Sequence, residues 1–381
     1  MSHDLLVTQD YPPRLGGVAR FYQRLAQFYP VGEMTILAPS DPVAIGFDSS
    51  QPYPIIRRRF FWSQRWLWPR WWPLVWQLYR ILLKKQVRSI IVGQVLPVGT
   101  AVALVTRLFR VPYVVITHGM DIRLPQSRQR KKIAMMKVLR GARFIVANSE
   151  YTKSELIKLG LLANRIRVIT PGCDKPRLAD AAAVQKIRDK YGLTSQAPVL
   201  VTVARLEERK GIDTVMKALA HLTSDFPNIK YLIVGTGPDE PRLRQIAKNY
   251  ALNDRVLFAG AVSDNELPAY YAVASLFVMP ARQLDNGDVE GFGIVYLEAN
   301  SYGRPVIGGR SGGVSEAIVD GVTGILVDPT TSTETIQAIR RLLNNWQECD
   351  RMGAAGLQRA RDQFSWTDRS RAVAQLMRAI K

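Results

Sequence analysis

SLFVMPARQLDNGDVEGFGIVYLEANSYGRP, Ser275 to Pro305, is the stretch on which the reading of this chain turns. Leu276, Phe277, Val278 and Met279 form a short continuous apolar run, the pattern of a strand covered on both faces. A polar loop follows, then a helix with Ile294, Leu297 and Asn300/Ser301 on one face, stopped by Gly303 and Pro305. At the helix mouth stand Glu290, Gly291, Phe292 and Gly293. Glycines let the backbone approach a ligand, and first-turn N–H groups point outward with the positive end of the helix dipole behind them. Glu298 follows Glu290 by eight residues, which places one carboxylate at the entrance and the other two turns in. Such a site could hold an anion on its amides and sugar hydroxyls on its carboxylates. A Gly-rich strand-to-helix turn with a capping glutamate is the plainer alternative.

Working outward, the same strand–loop–helix unit recurs in both directions. Asp4–Thr8 is an apolar strand followed by QDYPPRLGG, with Gly16 and Gly17, and a helix from Val18 to about Phe28. This is the first turn of a doubly wound α/β domain, though not a GxGxxG fingerprint. Further strands are expected at Met34–Ala38, Ser89–Gly93, Pro112–Thr117 and Arg143–Asn148, and another within Arg165–Asp174. His118-Gly119 lies at a strand end, on the ligand side of the sheet. A second series has strands at Val199–Val203, Tyr231–Val234, Val256–Phe258, Leu276–Met279, Val306–Ile307 and Ile325–Val327. After its first strand, ARLEERKG puts Arg205 and Lys210 at the start of the next helix, a pair that suits a diphosphate. Glycine turns at Gly235-Thr236-Gly237 and Ser311-Gly312-Gly313 open further helices. The pattern predicts two Rossmann-like doubly wound domains, 1–172 and 173–364, with a terminal helix over 365–381 crossing back to the first.

Composition bounds the partners. At 381 residues and 47% hydrophobic the chain can fill two cores. No apolar run of about 18 residues is free of charge, so no spanning helix is expected. The N-terminus lacks the features of a signal peptide. Cys173 and Cys349 form no metal-spaced pair and read as free thiols of a reducing cytosol. The net charge is +20, and it is lopsided: residues 1–172 hold 26 Lys/Arg against 8 Asp/Glu, residues 173–381 hold 26 against 24. An anionic surface facing the first half accounts for that asymmetry.

Six of the eight tryptophans (Trp62, Trp66, Trp68, Trp71, Trp72, Trp76) fall within Pro54–Lys85, interleaved with arginines. Arg128, Arg130, Lys131 and Lys132 belong to a second basic run. Indole rings favour the headgroup boundary of a bilayer and Arg/Lys pair with anionic lipids, so contact with a membrane is expected. Core tryptophans under a solvated arginine face are the alternative.

Taken together, EGFGIVYLE (Glu290–Glu298), Arg205 with Lys210, His118-Gly119 and Gly16-Gly17 resemble glycosyltransferase family 4, the retaining sugar-nucleotide transferases of the GT-B fold. The likeness covers nearly the whole chain, and QDYPPRLGG, MPAR and EGFGIVYLEA look especially like bacterial phosphatidylinositol mannosyltransferases. The Trp62–Trp76 insertion departs from that pattern and leaves the acceptor open. The resemblance implies that Arg205 and Lys210 hold the donor diphosphate across an interdomain cleft. It also implies that Glu298 accepts from ribose hydroxyls and Glu290 from hexose hydroxyls. The amides of Gly291, Phe292, Gly293 and Ile294 would meet sugar or phosphate, and Gly16 and Gly17 would close over the diphosphate. His118 would contact the transferred sugar, and the Gly235 turn with Val262 would surround the base.

The implied reaction moves a hexose from GDP-mannose or a UDP-hexose to a membrane lipid or lipid-linked saccharide. It needs no cofactor or metal, because fixed cations and helix dipoles offset the charge growing on the leaving group. The enzyme would be cytoplasmic and peripheral on the inner face of a membrane. A sugar-nucleotide epimerase of the same fold and a non-catalytic basic membrane-binding protein are the rivals. Nucleic acid is not an expected partner, since no RNA- or DNA-binding module accompanies the charge.

Overall fold

The computed structural model describes residues 3–14, 16–64, 66–84, 86–194 and 196–380. Leu15 of the first glycine loop, and Arg65 and Lys85 of the aromatic segment, lie outside them. The chain divides into two compact units, Met1–Gly172 with Trp366–Lys381, and Cys173–Ser365.

The first unit holds seven strands: β1 (His3–Val7), β2 (Met34–Pro39), β3 (Ile55–Arg58), β4 (Val87–Val92), β5 (Tyr113–Thr117), β6 (Phe144–Ala147) and β7 (Ile166–Val168). Their order is β3-β2-β1-β4-β5-β6-β7, and every pairing is parallel. Leu5, Val7, Ile90, Val92 and Val115 are fully buried, as a sheet covered on both faces requires. On one face they meet Leu74 and Leu78 of the Trp72–Lys84 helix and Val98, Val102 and Val105 of the Val98–Phe109 helix. At roughly 2 kcal/mol for each such side chain, this layer dominates the unit's stability. The Gly17–Gln27 helix packs with the terminal helix Trp366–Arg378, where the Phe21 and Trp366 rings meet edge-on at 5.4 Å and Ser370 donates to the Leu25 carbonyl.

The second unit holds β8 (Val199–Val203), β9 (Lys230–Val234), β10 (Val256–Gly260), β11 (Leu276–Met279), β12 (Val306–Gly309) and β13 (Gly324–Val327). The order is β10-β9-β8-β11-β12-β13, again all parallel. Chain direction across each sheet therefore reverses between β1 and β4 in one unit and between β8 and β11 in the other. In open α/β sheets ligands bind outside the carboxyl ends of the strands at such a switch point. The loops that follow β8 and β11 are ARLEERKG and the long connection to the Ile294–Ser301 helix.

Three expectations change. Pro54–Lys85, for which no element was expected, contains edge strand β3 and the Trp72–Lys84 helix; β3 ends in two arginines and lacks the continuous apolar run of its neighbours. The helix of the opening stretch starts at Ile294, so Glu298 sits little more than one turn in, not two. That helix is also buried nearly all round, because Gly353 and Gly356 of the Trp346–Gln363 helix approach Gly303 and Asn300 closely. Lastly, Arg205 and Lys210 precede the next helix: Lys210 ends a 3-10 turn, Glu208–Lys210, and the helix runs Ile212–Leu222. Of the aromatic segment, Trp62 is half-buried and Trp71 packs on the core, whereas Trp66, Trp68, Trp72 and Trp76 are 79%, 86%, 46% and 55% exposed. A wholly buried tryptophan cluster is ruled out.

Candidate active site

The carboxyl edge of the second sheet gathers four loops. β8 leads into Arg205–Lys210, β9 into Gly235, β10 into Gly260–Val262 and β11 into the connection that carries Glu290. Gly235 shows why the sequence must fold this way: its φ is 131°, and a Cβ there would lie 1.9 Å from the Ala204 carbonyl oxygen. Only glycine admits that crossing of the β8 and β9 loops. Leu206 then donates to Thr236 and accepts from Asp239, locking the two loops together. Val262 is half-buried beside them. Arg282 anchors the β11 loop by a two-pronged ion pair to Asp213, at 2.9 and 3.0 Å, in the first turn of the Ile212–Leu222 helix.

Between these loops lies a buried charge cluster. The Glu290 Oε2 atom accepts from Lys210 Nζ at 2.5 Å and from Arg209 Nη1 at 2.8 Å. Arg209 also pairs with Glu207 at 2.8 Å and Asp288 at 3.0 Å. Burial by itself would raise the Glu290 carboxyl, but the Lys210 ammonium and the Arg209 guanidinium override it and hold the group at about 2. It is therefore a carboxylate at neutral pH, an acceptor with no proton to give. Both cations use Oε2; among the described residues Oε1 accepts no hydrogen bond. Arg205 is different: its side chain is 71% exposed and, among the described residues, pairs only with Glu207, at 3.4 Å.

The amides of Gly291, Phe292, Gly293 and Ile294 donate to no described residue, so the mouth of the Ile294–Ser301 helix presents four unsatisfied donors. Gly293 caps the helix at φ 86°, where a Cβ would strike the Tyr296 ring. The Phe292 side chain is buried against Phe364, leaving only its backbone for a ligand. Glu298 is buried, and its Oε2 accepts from the Tyr271 hydroxyl at 3.1 Å.

In the first unit, Gly16 caps the Gly17–Gln27 helix at φ 149°, and the space around both glycines is open. Behind them, His118 follows β5, its ring flanked edge-on by Phe21 and Tyr22. The Tyr22 hydroxyl donates its single proton to the Gly93 carbonyl at 2.6 Å, so at 2.8 Å it can only accept from His118 Nε2. This fixes the neutral Nε2–H tautomer and leaves Nδ1 as an acceptor. Burial lowers the imidazole to about 4, consistent with that neutral form. Nearby, burial raises the Asp121 carboxyl to about 6 although it accepts the His118 amide at 2.9 Å. At the β1/β4 switch point Gln94 bridges Thr8, Gln9 and Asp10. Arg128, Arg130, Lys131 and Lys132, at the start of the Gln129–Gly141 helix, are exposed and make no ion pair among the described residues.

Arg209, Tyr22 and Gln94 are absent from the sequence-level expectation. Arg209 adjoins Lys210 in the mixed-charge run Glu207-Glu208-Arg209-Lys210, which is the signal that could have marked it.

Residues 183–359 match the family described as Glycosyl transferases group 1, and residues 15–177 match Glycosyltransferase Family 4. Over 383 aligned residues the chain is 32% identical to the GDP-mannose-dependent alpha-(1-6)-phosphatidylinositol monomannoside mannosyltransferase of Mycolicibacterium smegmatis, covering 98% of this chain and 97% of that one. The chain belongs to glycosyltransferase family 4. This glycosyltransferase is also 28% identical to a GDP-mannose-dependent monoacylated alpha-(1-6)-phosphatidylinositol monomannoside mannosyltransferase of Corynebacterium glutamicum, over 95% of its length and 94% of the relative's. Its fold is that of the Anabaena protein HepE solved with UDP and glucose, with a TM-score of 0.85, 21% identity and full coverage of both chains. A sucrose-phosphate synthase from Thermosynechococcus elongatus gives the same score and identity over 100% of this glycosyltransferase and 99% of the other chain. The expected GT-B architecture is thus present, with its terminal helix in the first unit.

Proposed function

We propose that this glycosyltransferase moves a hexose from a nucleotide sugar, GDP-mannose first among candidates, to a glycosylated phosphoinositide or similar lipid-linked acceptor, with retention and without a metal. The observation that carries the reading is the Lys210–Glu290–Arg209 cluster beside four unsatisfied amides at a sheet switch point. Cleaving a glycosyl–phosphate bond leaves an anion on the nucleoside diphosphate. Lys210, the exposed Arg205 and the amides of Gly291–Ile294 are donors suited to stabilise it. Glu290, ionised at neutral pH, offers Oε1 to sugar hydroxyls; neutralised by two cations, it is a poor nucleophile. Glu298 would take the ribose hydroxyls, and the Gly235 turn with Val262 would border the base. His118 would accept a sugar hydroxyl at Nδ1. A departing phosphate oxygen would collect the acceptor's proton as the new bond forms on the same face. The donor and acceptor classes follow the names of the relatives.

Among the described residues no helix is long and apolar enough to cross a membrane. We assign lipid contact to the first unit, where exposed Trp66, Trp68, Trp72 and Trp76 lie on and before the Trp72–Lys84 helix and the unpaired cations begin the Gln129–Gly141 helix. The test is a donor screen: GDP- and UDP-sugars with and without EDTA, a phosphatidylinositol monomannoside acceptor, and NMR of the product anomer. Acceptor-dependent transfer with an unchanged anomer and no loss in EDTA is expected. Donor isomerisation without acceptor, or an inverted product, would overturn the reading.

A further inference from the structure

The first unit has an open cavity of about 480 Å³ that none of the groups above uses. Arg107, Arg110, Arg143 and Arg165 line it with Tyr113 and Gly141. Tyr113 opens β5 and Arg143 immediately precedes β6, so the cavity lies at the amino edge of the sheet. His118 follows the other end of β5, five residues away along the strand. That is roughly 16 Å at about 3.3 Å per residue, so this is not the sugar site.

No carboxylate is among the lining residues, and Arg107, Arg110 and Arg143 make no ion pair among the described residues. Arg165 donates to the carbonyls of Arg140 and Ala142 at the end of the Gln129–Gly141 helix. The Tyr113 hydroxyl donates to the Val138 carbonyl at 2.8 Å. Two helices, Val98–Phe109 and Gln129–Gly141, end here, and their carbonyl dipoles supply about half a negative charge each. Four guanidinium charges are therefore only partly offset. Forked guanidinium donors match phosphate oxygens better than any neutral ligand. One wall of the cavity is also one side of an apolar surface. Ala103 and Thr106 line it, while Leu104 and Leu108, one turn apart on the same helix, are 46% and 70% exposed. Phe109 of that helix meets Tyr79 of the tryptophan-bearing helix at 5.5 Å, and Tyr79 stacks on exposed Trp76.

We infer that this cavity binds the phosphate of an anionic lipid headgroup, at a site separate from donor and acceptor. The apolar rim faces the acyl region and the arginines take the phosphate. This inference rests on the membrane-facing assignment of the first unit, not on the transfer chemistry.

The test compares the full chain with an Arg107→Gln/Arg143→Gln variant and a Trp72→Ser/Trp76→Ser variant, each checked for folding by circular dichroism. Flotation uses phosphatidylcholine vesicles with and without phosphatidic acid, and calorimetry uses soluble glycerol 1-phosphate. An Arg128→Gln/Arg130→Gln variant matches the loss of charge away from the cavity. The arginine-cavity variant is expected to lose glycerol phosphate binding and about thirtyfold in affinity for acidic vesicles, the worth of two cations at an anionic bilayer. The charge-matched and tryptophan variants should still bind glycerol phosphate. If the cavity variant binds both probes like the parent protein, the site is refuted while the membrane reading stands. Retained vesicle affinity with lost glycerol phosphate binding would make the ligand a free phosphate ester and refute the lipid source. A parent protein that ignores both probes would refute the site and the membrane reading together.

Discussion

Replacing Glu290 by Gln removes one negative charge, and almost no volume, from between Lys210 and Arg209. The native carboxyl, which burial would raise, is held by those cations at about 2 instead of the ordinary 4.5. At about 1.4 kcal/mol per pH unit the difference is worth about 3 kcal/mol in favour of the charged form. Because the folded-state value is depressed, this contribution is complete above pH 4.5 and is lost as pH falls toward 2. Arg209 keeps Glu207 and Asp288 as partners, whereas Lys210 pairs with no other carboxylate among the described residues. The loss should thus fall near the lower end for a broken buried pair, about 3 kcal/mol. Seven of the eight tryptophans belong to the first unit, so fluorescence would follow the wrong half of the molecule. Hydrogen exchange by mass spectrometry, read on peptides from β8 and β11 in rising urea, follows the right one. A variant within about 0.5 kcal/mol of the parent at neutral pH would refute the reasoning. So would a gap of equal size at neutral pH and at about pH 3, where half or more of the linkage should be gone.

Lys210→Ala and Arg205→Ala should each lower turnover by about a hundredfold or more, as with loss of one oxyanion donor. Arg205→Ala, altering an exposed side chain, should change stability by less than about 0.5 kcal/mol, which a thermal melt can check. The neutral His118 gives the first unit stability that is full above pH 6.5 and falls as pH drops toward 4, by about 3 kcal/mol. Asp121, whose carboxyl burial raises to about 6, acts in the opposite sense in both proteins, so tryptophan-monitored urea unfolding should show the His118 slope as the difference between the parent and His118→Asn; a difference that stays constant from about pH 7 to about pH 4 would refute it. Gly235→Ala should cost about 2 kcal/mol or more in the second unit, since a Cβ has no room at the Ala204 carbonyl. An unchanged exchange pattern in the β8 and β9 peptides would argue against it.

Parallel strands covered on both faces announce themselves as short apolar runs, which is why eleven strands and the doubly wound fold class were legible before any coordinates, and the Ile166–Val168 strand was placed within its segment. Edge strand β3 was not, because Ile55-Ile56-Arg57-Arg58 needs only partial cover and carries Arg57 to meet Asp48. The glycine turns and Glu290 were legible from residue type and position alone. Which of three neighbouring cations would face Glu290 was not. Arg205, Arg209 and Lys210 look alike in sequence, and the choice depends on Asp288 and Glu290, some eighty positions further on. The partnership of Tyr22 with His118 spans 96 positions and leaves no local trace. Exposure of the tryptophans was equally hidden, since composition cannot tell a rim from a core.

The helix Trp366–Arg378 follows the whole second unit in sequence, yet it completes the first unit, with Trp366 against Phe21 and Arg378 reaching Glu33 at 2.5 Å. On the ribosome, then, the amino-terminal half cannot finish folding when its own sequence has emerged. It must wait, with the Phe21 face of the Gly17–Gln27 helix uncovered, until the second unit has been synthesised. A nascent chain stalled before Trp366 should accordingly hold a settled carboxy-terminal unit beside an unfinished amino-terminal one, the reverse of the order in which the two were translated.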